Sequence, residues 1–100
     1  AHRVGVVDGA AAEVEQVLML HPAVLDAAVV GVADSKWGQV VKAYLVVRAG
    51  GRLTLDEVQR HCATHLADFK KPREITLLPS LPKNAGGKTV KSRLEEGVHG

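Results

Sequence analysis

Apolar positions recur at helical spacing early in the chain. Val14, Val17, Leu18 and His21 fall at i, i+3, i+4 and i+7, with Glu13, Glu15 and Gln16 outside the stripe. That spacing predicts an amphipathic helix from about Ala10. Asp8 is a candidate N-cap and Pro22 stops the helix. The pattern then changes. Val24 and the run Ala27 to Val32 read as a buried strand, and Asp34-Ser35-Lys36-Trp37-Gly38 as a loop of turn formers. Val40 to Arg48, rich in β-branched residues, reads as a second strand, followed by a turn at Ala49-Gly50-Gly51-Arg52. Thr54 with Glu57 three residues on spells a capping box, so a second helix begins there. Its apolar face is Leu55, Val58, Cys62 and Leu66. Beyond a loop at Phe69 to Arg73, Glu74 to Leu78 is a third strand. A long loop holds Pro79, Pro82, Asn84, Gly86 and Gly87, and Thr89 to Glu96 reads as a short terminal helix.

The order is α-β-β-α-β-α. Two strands in succession favour an antiparallel pair, and the third joins after a helix crosses one face. The expected fold is therefore α+β: a small three-stranded, mainly antiparallel sheet covered by helices.

Length and composition narrow the function classes. At 100 residues the chain is one domain, and 46% apolar with 24% charged residues is too apolar for a disordered chain. No apolar run approaches the roughly 20 residues needed to span a bilayer, and no signal segment opens the chain. A lone cysteine, Cys62, makes no internal disulfide and no zinc site with two thiolates, which fits a reducing, cytoplasmic setting. Only Trp37, Tyr44 and Phe69 are aromatic, so the core is built from Val, Leu, Ile and Ala.

The net charge of +2 is unevenly spread. Residues 1–68 hold six bases and eight acids, whereas residues 69–94 hold Lys70, Lys71, Arg73, Lys83, Lys88, Lys91 and Arg93 against Glu74 alone. Such a segment suits an anionic partner or a solvated face. No aromatic pattern interleaves the bases, so no nucleic acid is expected. His61 and His65 stand at i, i+4, a spacing that can bind zinc, but without a third ligand or the Glu of a His-Glu-x-x-His motif. No metal site is expected.

The segment Pro82-Lys83-Asn84-Ala85-Gly86-Gly87-Lys88 carries the candidate chemistry. Gly86 and Gly87 permit backbone shapes closed to other residues and let a ligand approach closely. The Lys88 ammonium, on a flexible stem, suits phosphate or carboxylate oxygens. The alternative is a solvent-exposed surface lysine. It is no P-loop, because Pro82 stands where the first glycine of that motif belongs.

Taken in order, Glu13-Val14-Glu15, His21-Pro22-Ala23-Val24, Ala27-Ala28-Val29-Val30-Gly31, Asp34 with Trp37-Gly38, Ala43, Lys70, Pro72-Arg73, Leu81-Pro82, Gly87-Lys88 and Lys91 form a pattern. The chain resembles the C-terminal domain of the adenylate-forming enzymes: acyl-CoA synthetases, aryl-CoA ligases, luciferases and peptide-synthetase adenylation domains. The Trp-Gly loop and the Pro-x-x-x-x-Gly-Lys ending point to the acyl- or aryl-CoA ligase branch.

The resemblance implies a function. Such enzymes join a carboxylic acid to ATP and pass the acyl group to coenzyme A. A large N-terminal adenylation domain, in cis or in trans, holds most of the acid and the ATP with its Mg. The small domain closes over it in two orientations. Lys88 is implied as the catalytic lysine of adenylation, delivered by a pliable loop with Gly86 and Gly87. The second orientation presents a face to coenzyme A; Gly5, Gly9, Lys70, Lys71 and Arg73 are its candidate residues, the three bases being either phosphate contacts or solvated surface. The sequence departs from relatives at Val4 to Gly9, where the Glu of a Gly-Gly-Glu-Asn-like loop is absent, and it lacks the Gly-Arg-x-x-Asp-like hinge. Alone, the chain is expected to be inactive as a ligase. The alternative is a non-catalytic interaction or polyanion-binding module that keeps the fold.

Overall fold

The computed structural model describes residues 8–36, 38–67 and 70–94. The elements run α1 (Asp8–Met19), β1 (Val24–Asp34), β2 (Gly38–Val47), α2 (Leu55–Ala63), β3 (Glu74–Leu77) and a 3-10 turn at Lys91–Arg93. Asp8 is the first residue of α1 and not the residue ahead of it. The helix ends as anticipated before Pro22: Leu20 and His21 donate to the Val17 and Leu18 carbonyls, tightening the last turn. At α2 the capping box forms. The Glu57 N–H donates to Thr54 Oγ1 at 3.1 Å, and the Thr54 N–H donates to Glu57 Oε1 at 2.9 Å.

The sheet order is β1-β2-β3. β1 and β2 form an antiparallel hairpin, from Val24 opposite Val47 to Asp34 opposite Gly38. Asp34 closes its turn by accepting the Lys36 N–H at 2.8 Å. β3 runs parallel to β2, from Lys42–Glu74 to Leu45–Leu77, so the sheet is mixed. The reason is the helical connection: α2 returns the chain to the end of the sheet where β2 began, which makes β2-α2-β3 a crossover unit. Gln59 on α2 fixes this return by donating to the Pro72 carbonyl at 2.8 Å.

Both faces of the sheet are covered, which explains strands that read as nearly continuous apolar runs. Alternation sorts the side chains. Val29, Val41, Ala43 and Leu45 face α1 and α2, packing with Val14, Leu18, Val58 and Cys62. Ala28 and Tyr44 face the other way, under Leu81 and Leu94 of the C-terminal segment. Val24 joins the first set despite its even number because a bulge between Val24 and Asp26 shifts the register.

One expected element differs at its start. The sequence predicts a helix over Thr89 to Glu96, but Thr89 forms a β-bridge with Lys83, and Val90 is extended with its N–H on the Pro82 carbonyl at 2.8 Å. Among the described residues the helical part begins later: Lys91–Arg93 turn as 3-10 and Leu94 keeps helical backbone, φ −65° and ψ −41°. Two β-branched residues, Thr89 and Val90, favour the extended start. Glu95 and Glu96, like Trp37 and Phe69, lie outside the described residues.

Candidate active-site loop

Residues 83–89 form a small hairpin on the C-terminal segment, closed by the Lys83–Thr89 bridge. Within it the Asn84 N–H donates to the Lys88 carbonyl at 2.9 Å, and the Gly87 N–H donates to the Asn84 carbonyl at 2.9 Å. The Asn84 side chain does more. Its Oδ1 accepts the Gly86 N–H at 2.9 Å and the Lys88 N–H at 3.0 Å. The expected pliable loop is therefore a stapled tip. An asparagine with its side chain turned back on the next few amides is a strong turn former. Gly87 takes the left-handed backbone, φ +86°, whereas Gly86 does not. Of the two glycines, only one is demanded by conformation.

Lys88 is exposed at this tip, and no ion pair among the described residues involves it. Its neighbours in sequence behave differently. Lys83 Nζ lies 2.8 Å from an Asp26 carboxylate oxygen and donates to Thr89 Oγ1 at 3.1 Å. Lys91 Nζ lies 2.8 Å from Glu15 Oε2 and donates to the Val29 carbonyl at 2.9 Å. Glu15 Oε2 also accepts the Val29 N–H at 2.8 Å. Both backbone groups on the open edge of β1 at Val29 are thus taken up by this pair.

The other candidate residues scatter. Lys70 Nζ pairs with Glu13 at 2.8 Å, half-buried beside α1. Lys71 is half-buried and Arg73 exposed, and the Arg73 N–H extends the sheet by donating to the Val41 carbonyl at 2.8 Å. Gly9 sits in the first turn of α1, not in a loop ahead of the helix, and Gly5 lies outside the described residues. The structure does not gather these positions with Lys88 into one described pocket. Three bases of the cationic segment, Lys70, Lys83 and Lys91, are held by acids of the first half of the chain. That pairing lowers the charge left for a polyanion.

His21 and His61 serve structure. His61 Nε2 lies 2.7 Å from the Val17 carbonyl, and His21 Nδ1 accepts the Ala23 N–H at 3.0 Å. Among the described residues no cluster of His, Cys, Asp or Glu has the arrangement of a metal site, and no helix is long and apolar enough to cross a membrane.

Sequence reasoning missed Asn84, and also Glu15 and Asp26 as partners of the loop's lysines. Asn84 was legible in principle from Asn-Ala-Gly-Gly, a turn sequence. The ion pairs were not, since they join residues 57 to 76 positions apart in the chain.

Residues 13–88 match the AMP-binding enzyme C-terminal domain. The chain belongs to that family. It is 42% identical over 87 residues to a 2-succinylbenzoate–CoA ligase of Bacillus mycoides, covering 87% of this chain and 18% of that protein. It is 46% identical over 85 residues to a 3-[(3aS,4S,7aS)-7a-methyl-1,5-dioxo-octahydro-1H-inden-4-yl]propanoyl:CoA ligase of Mycobacterium tuberculosis, covering 85% of this chain and 17% of that protein. Among solved structures it superposes on o-succinylbenzoate CoA synthetase from Bacillus subtilis in complex with the acyl-adenylate intermediate OSB-AMP. The TM-score is 0.78 at 41% identity, over 85% of this chain and 17% of that one. A double mutant of the same synthetase bound with a product analogue matches at TM-score 0.82 and 36% identity, over 96% of this chain and 20% of that one. The chain spans about a fifth of the length of these relatives.

Proposed function

We propose that this domain works as the mobile C-terminal part of an ATP-dependent carboxylate–CoA ligase and that Lys88 serves adenylate formation. The observation that carries the reading is the tip itself: an exposed ammonium, outside every described ion pair, on a loop whose backbone is stapled by Asn84.

The chemistry needs such a group. A carboxylate oxygen attacks the α-phosphorus of ATP; the new O–P bond forms as the bond to pyrophosphate breaks. Two anions meet, and negative charge builds on the phosphoryl oxygens. A fixed ammonium offsets both effects and is worth most in a closed, dry site. Lys88 takes no proton and forms no bond; it acts by charge and position. In the second step the sulfur of coenzyme A bonds to the acyl carbon as the bond from that carbon to the AMP oxygen breaks; AMP leaves and the thiol proton is released.

The carboxylic acid and ATP with its Mg are held by an adenylation domain, in cis or in trans, in the cytoplasm. None of the described clusters here suits a metal. Gly5, Gly9, Lys70, Lys71 and Arg73 remain the candidates for a coenzyme A face in the second orientation. Lys70 would exchange Glu13 for a phosphate.

The test is Lys88→Ala in the polypeptide assembled with its adenylation domain. ATP–pyrophosphate exchange should fall by about 10²–10³, the usual cost of one transition-state contact. Thioester formation from supplied acyl-adenylate should persist. Equal loss of both steps, or retention of both, overturns the reading.

A further inference from the structure

The hairpin that carries Lys88 is tied to β1 and its flanking helix at both ends. On one side Lys83 is held by Asp26, at the bulged end of β1. On the other side Lys91 is held by Glu15 of α1 and by the Val29 carbonyl in the middle of β1. Lys83 also crosses its own hairpin to Thr89 Oγ1, next to Lys88. Lys88, outside every ion pair among the described residues, thus stands between two tethered cations, five residues after one and three before the other. Asp26 and Glu15 line the same open groove between α1 and β1.

Packing alone does not fix this hairpin. Its nearest core anchors are Leu81 and Leu94, outside the loop on both sides, and residues 83–88 are all exposed. Nothing apolar within the tip prevents it from rocking about those anchors. The two ion pairs act where packing stops. Each is partly solvated, with side-chain exposures of 39% and 34% for Lys83–Asp26 and 39% and 25% for Lys91–Glu15. Pairs of that exposure add little to global stability. Their effect lies in restricting direction.

We infer that Lys83–Asp26 and Lys91–Glu15 are positioning pairs that set the aim of the Lys88 ammonium, so that they serve adenylation and not thioester formation. This rests on the assignment of Lys88 above. Glu15 is the central member, since one carboxylate oxygen receives both the Lys91 ammonium and the Val29 N–H.

The experiment compares Lys88→Ala, Lys91→Met, Lys83→Met and Lys91→Arg in the polypeptide assembled with its adenylation domain. Misplacement of a charge by about 1 Å can cost on the order of 10²-fold. The two methionine variants should therefore lose about 10- to 100-fold in kcat for pyrophosphate exchange, with KM for ATP unchanged. They should still convert supplied acyl-adenylate to thioester at the normal rate. Lys91→Arg should recover most of the loss, because a guanidinium can hold both Glu15 and the Val29 carbonyl. Glu15→Gln keeps an acceptor for Val29 and drops the charge; it carries the same expectation if Lys91→Met does not fold.

If Lys88→Ala is selective for adenylation while the anchor variants match the parent, the inference fails and the Lys88 reading stands. Equal loss of both half-reactions in the anchor variants also overturns it, showing a merely structural role. If Lys88→Ala itself is not selective, the functional reading falls and takes the inference with it.

Discussion

Asn84 and Lys88 are bonded in both directions across the loop tip. The Asn84 N–H donates to the Lys88 carbonyl at 2.9 Å, and Asn84 Oδ1 accepts the Lys88 N–H at 3.0 Å. A side-chain amide thereby fixes the backbone from which the candidate catalytic ammonium projects. The backbone is held while the side chain stays in solvent.

Asn84→Ala should loosen the tip without unfolding the domain. Water replaces the lost acceptor at an exposed site, so global stability should change by less than about 1 kcal/mol. The Gly86 and Lys88 amides should exchange with solvent markedly faster, measured by hydrogen exchange and NMR. Asn84→Asp keeps the acceptor and should preserve their protection. Unchanged exchange in Asn84→Ala would show that the side chain is not the staple.

The two adjacent glycines should respond differently to alanine. Gly87 has φ +86°, a conformation that costs an L-residue about 1 kcal/mol or more. A Cβ on Gly86 would meet only Asn84 Oδ1 at 3.5 Å, ordinary contact. Gly87→Ala should therefore disturb the hairpin, seen as altered amide shifts from Asn84 to Thr89 and, if the proposed function holds, as weakened pyrophosphate exchange in the polypeptide assembled with its adenylation domain. Gly86→Ala should leave both near the parent. Equal effects would contradict this division of roles.

Much of the fold is legible in the sequence. The stripe Val14, Val17, Leu18 is buried on α1, and Thr54 with Glu57 caps α2 as the spacing requires. These are local patterns, set by side chains a turn apart. What sequence did not show depends on distant partners. The parallel placement of β3 follows from how α2 crosses the sheet. The extended Thr89 follows from its bridge to Lys83. The tethering of Lys91 follows from where α1 places Glu15. The lysines looked alike in the sequence; in the fold, Lys83 and Lys91 are bound and Lys88 projects.

Tyr44→Phe should leave stability equal or raise it. The Tyr44 ring is fully buried against Ala28, Leu81 and Leu94, and its hydroxyl has no hydrogen-bond partner among the described residues. A buried unsatisfied hydroxyl costs about 1–3 kcal/mol, so removing it at constant shape carries no penalty. Chemical denaturation of the two proteins is the comparison. A loss greater than about 1 kcal/mol would mean that the hydroxyl is satisfied in solution.

Stability should fall at low pH partly through Glu57. Hydrogen bonds from the Thr54 backbone and hydroxyl hold its carboxyl below the ordinary 4.5, and the nearby Arg60 charge assists. A depressed value in the folded state stabilises above 4.5 and loses that contribution as pH drops through the folded value. Glu57→Gln should therefore flatten the acid limb of a stability-against-pH curve. Thr54→Ala should cost about 1 kcal/mol at neutral pH, the usual worth of an N-cap. Identical acid limbs for parent and Glu57→Gln would remove Glu57 from the account.

The opposite limb belongs in part to Cys62. Burial between α2 and the sheet pushes its thiol up to about 11 from an ordinary 9.0, against a smaller opposing effect of the Lys71 charge. A raised value means that the folded state keeps the proton more tightly. The contribution is complete below pH 9 and is lost as pH rises from 9 towards 11. Two outcomes follow. At pH 8 iodoacetamide should modify native Cys62 far more slowly than the denatured chain, because the thiolate is the nucleophile and the thiol is enclosed. Cys62→Ala, although it leaves a small cavity, should show a shallower decline in stability above pH 9 than the parent. Rapid native alkylation, or parallel alkaline declines, would place this thiol in contact with water and contradict its position in the core.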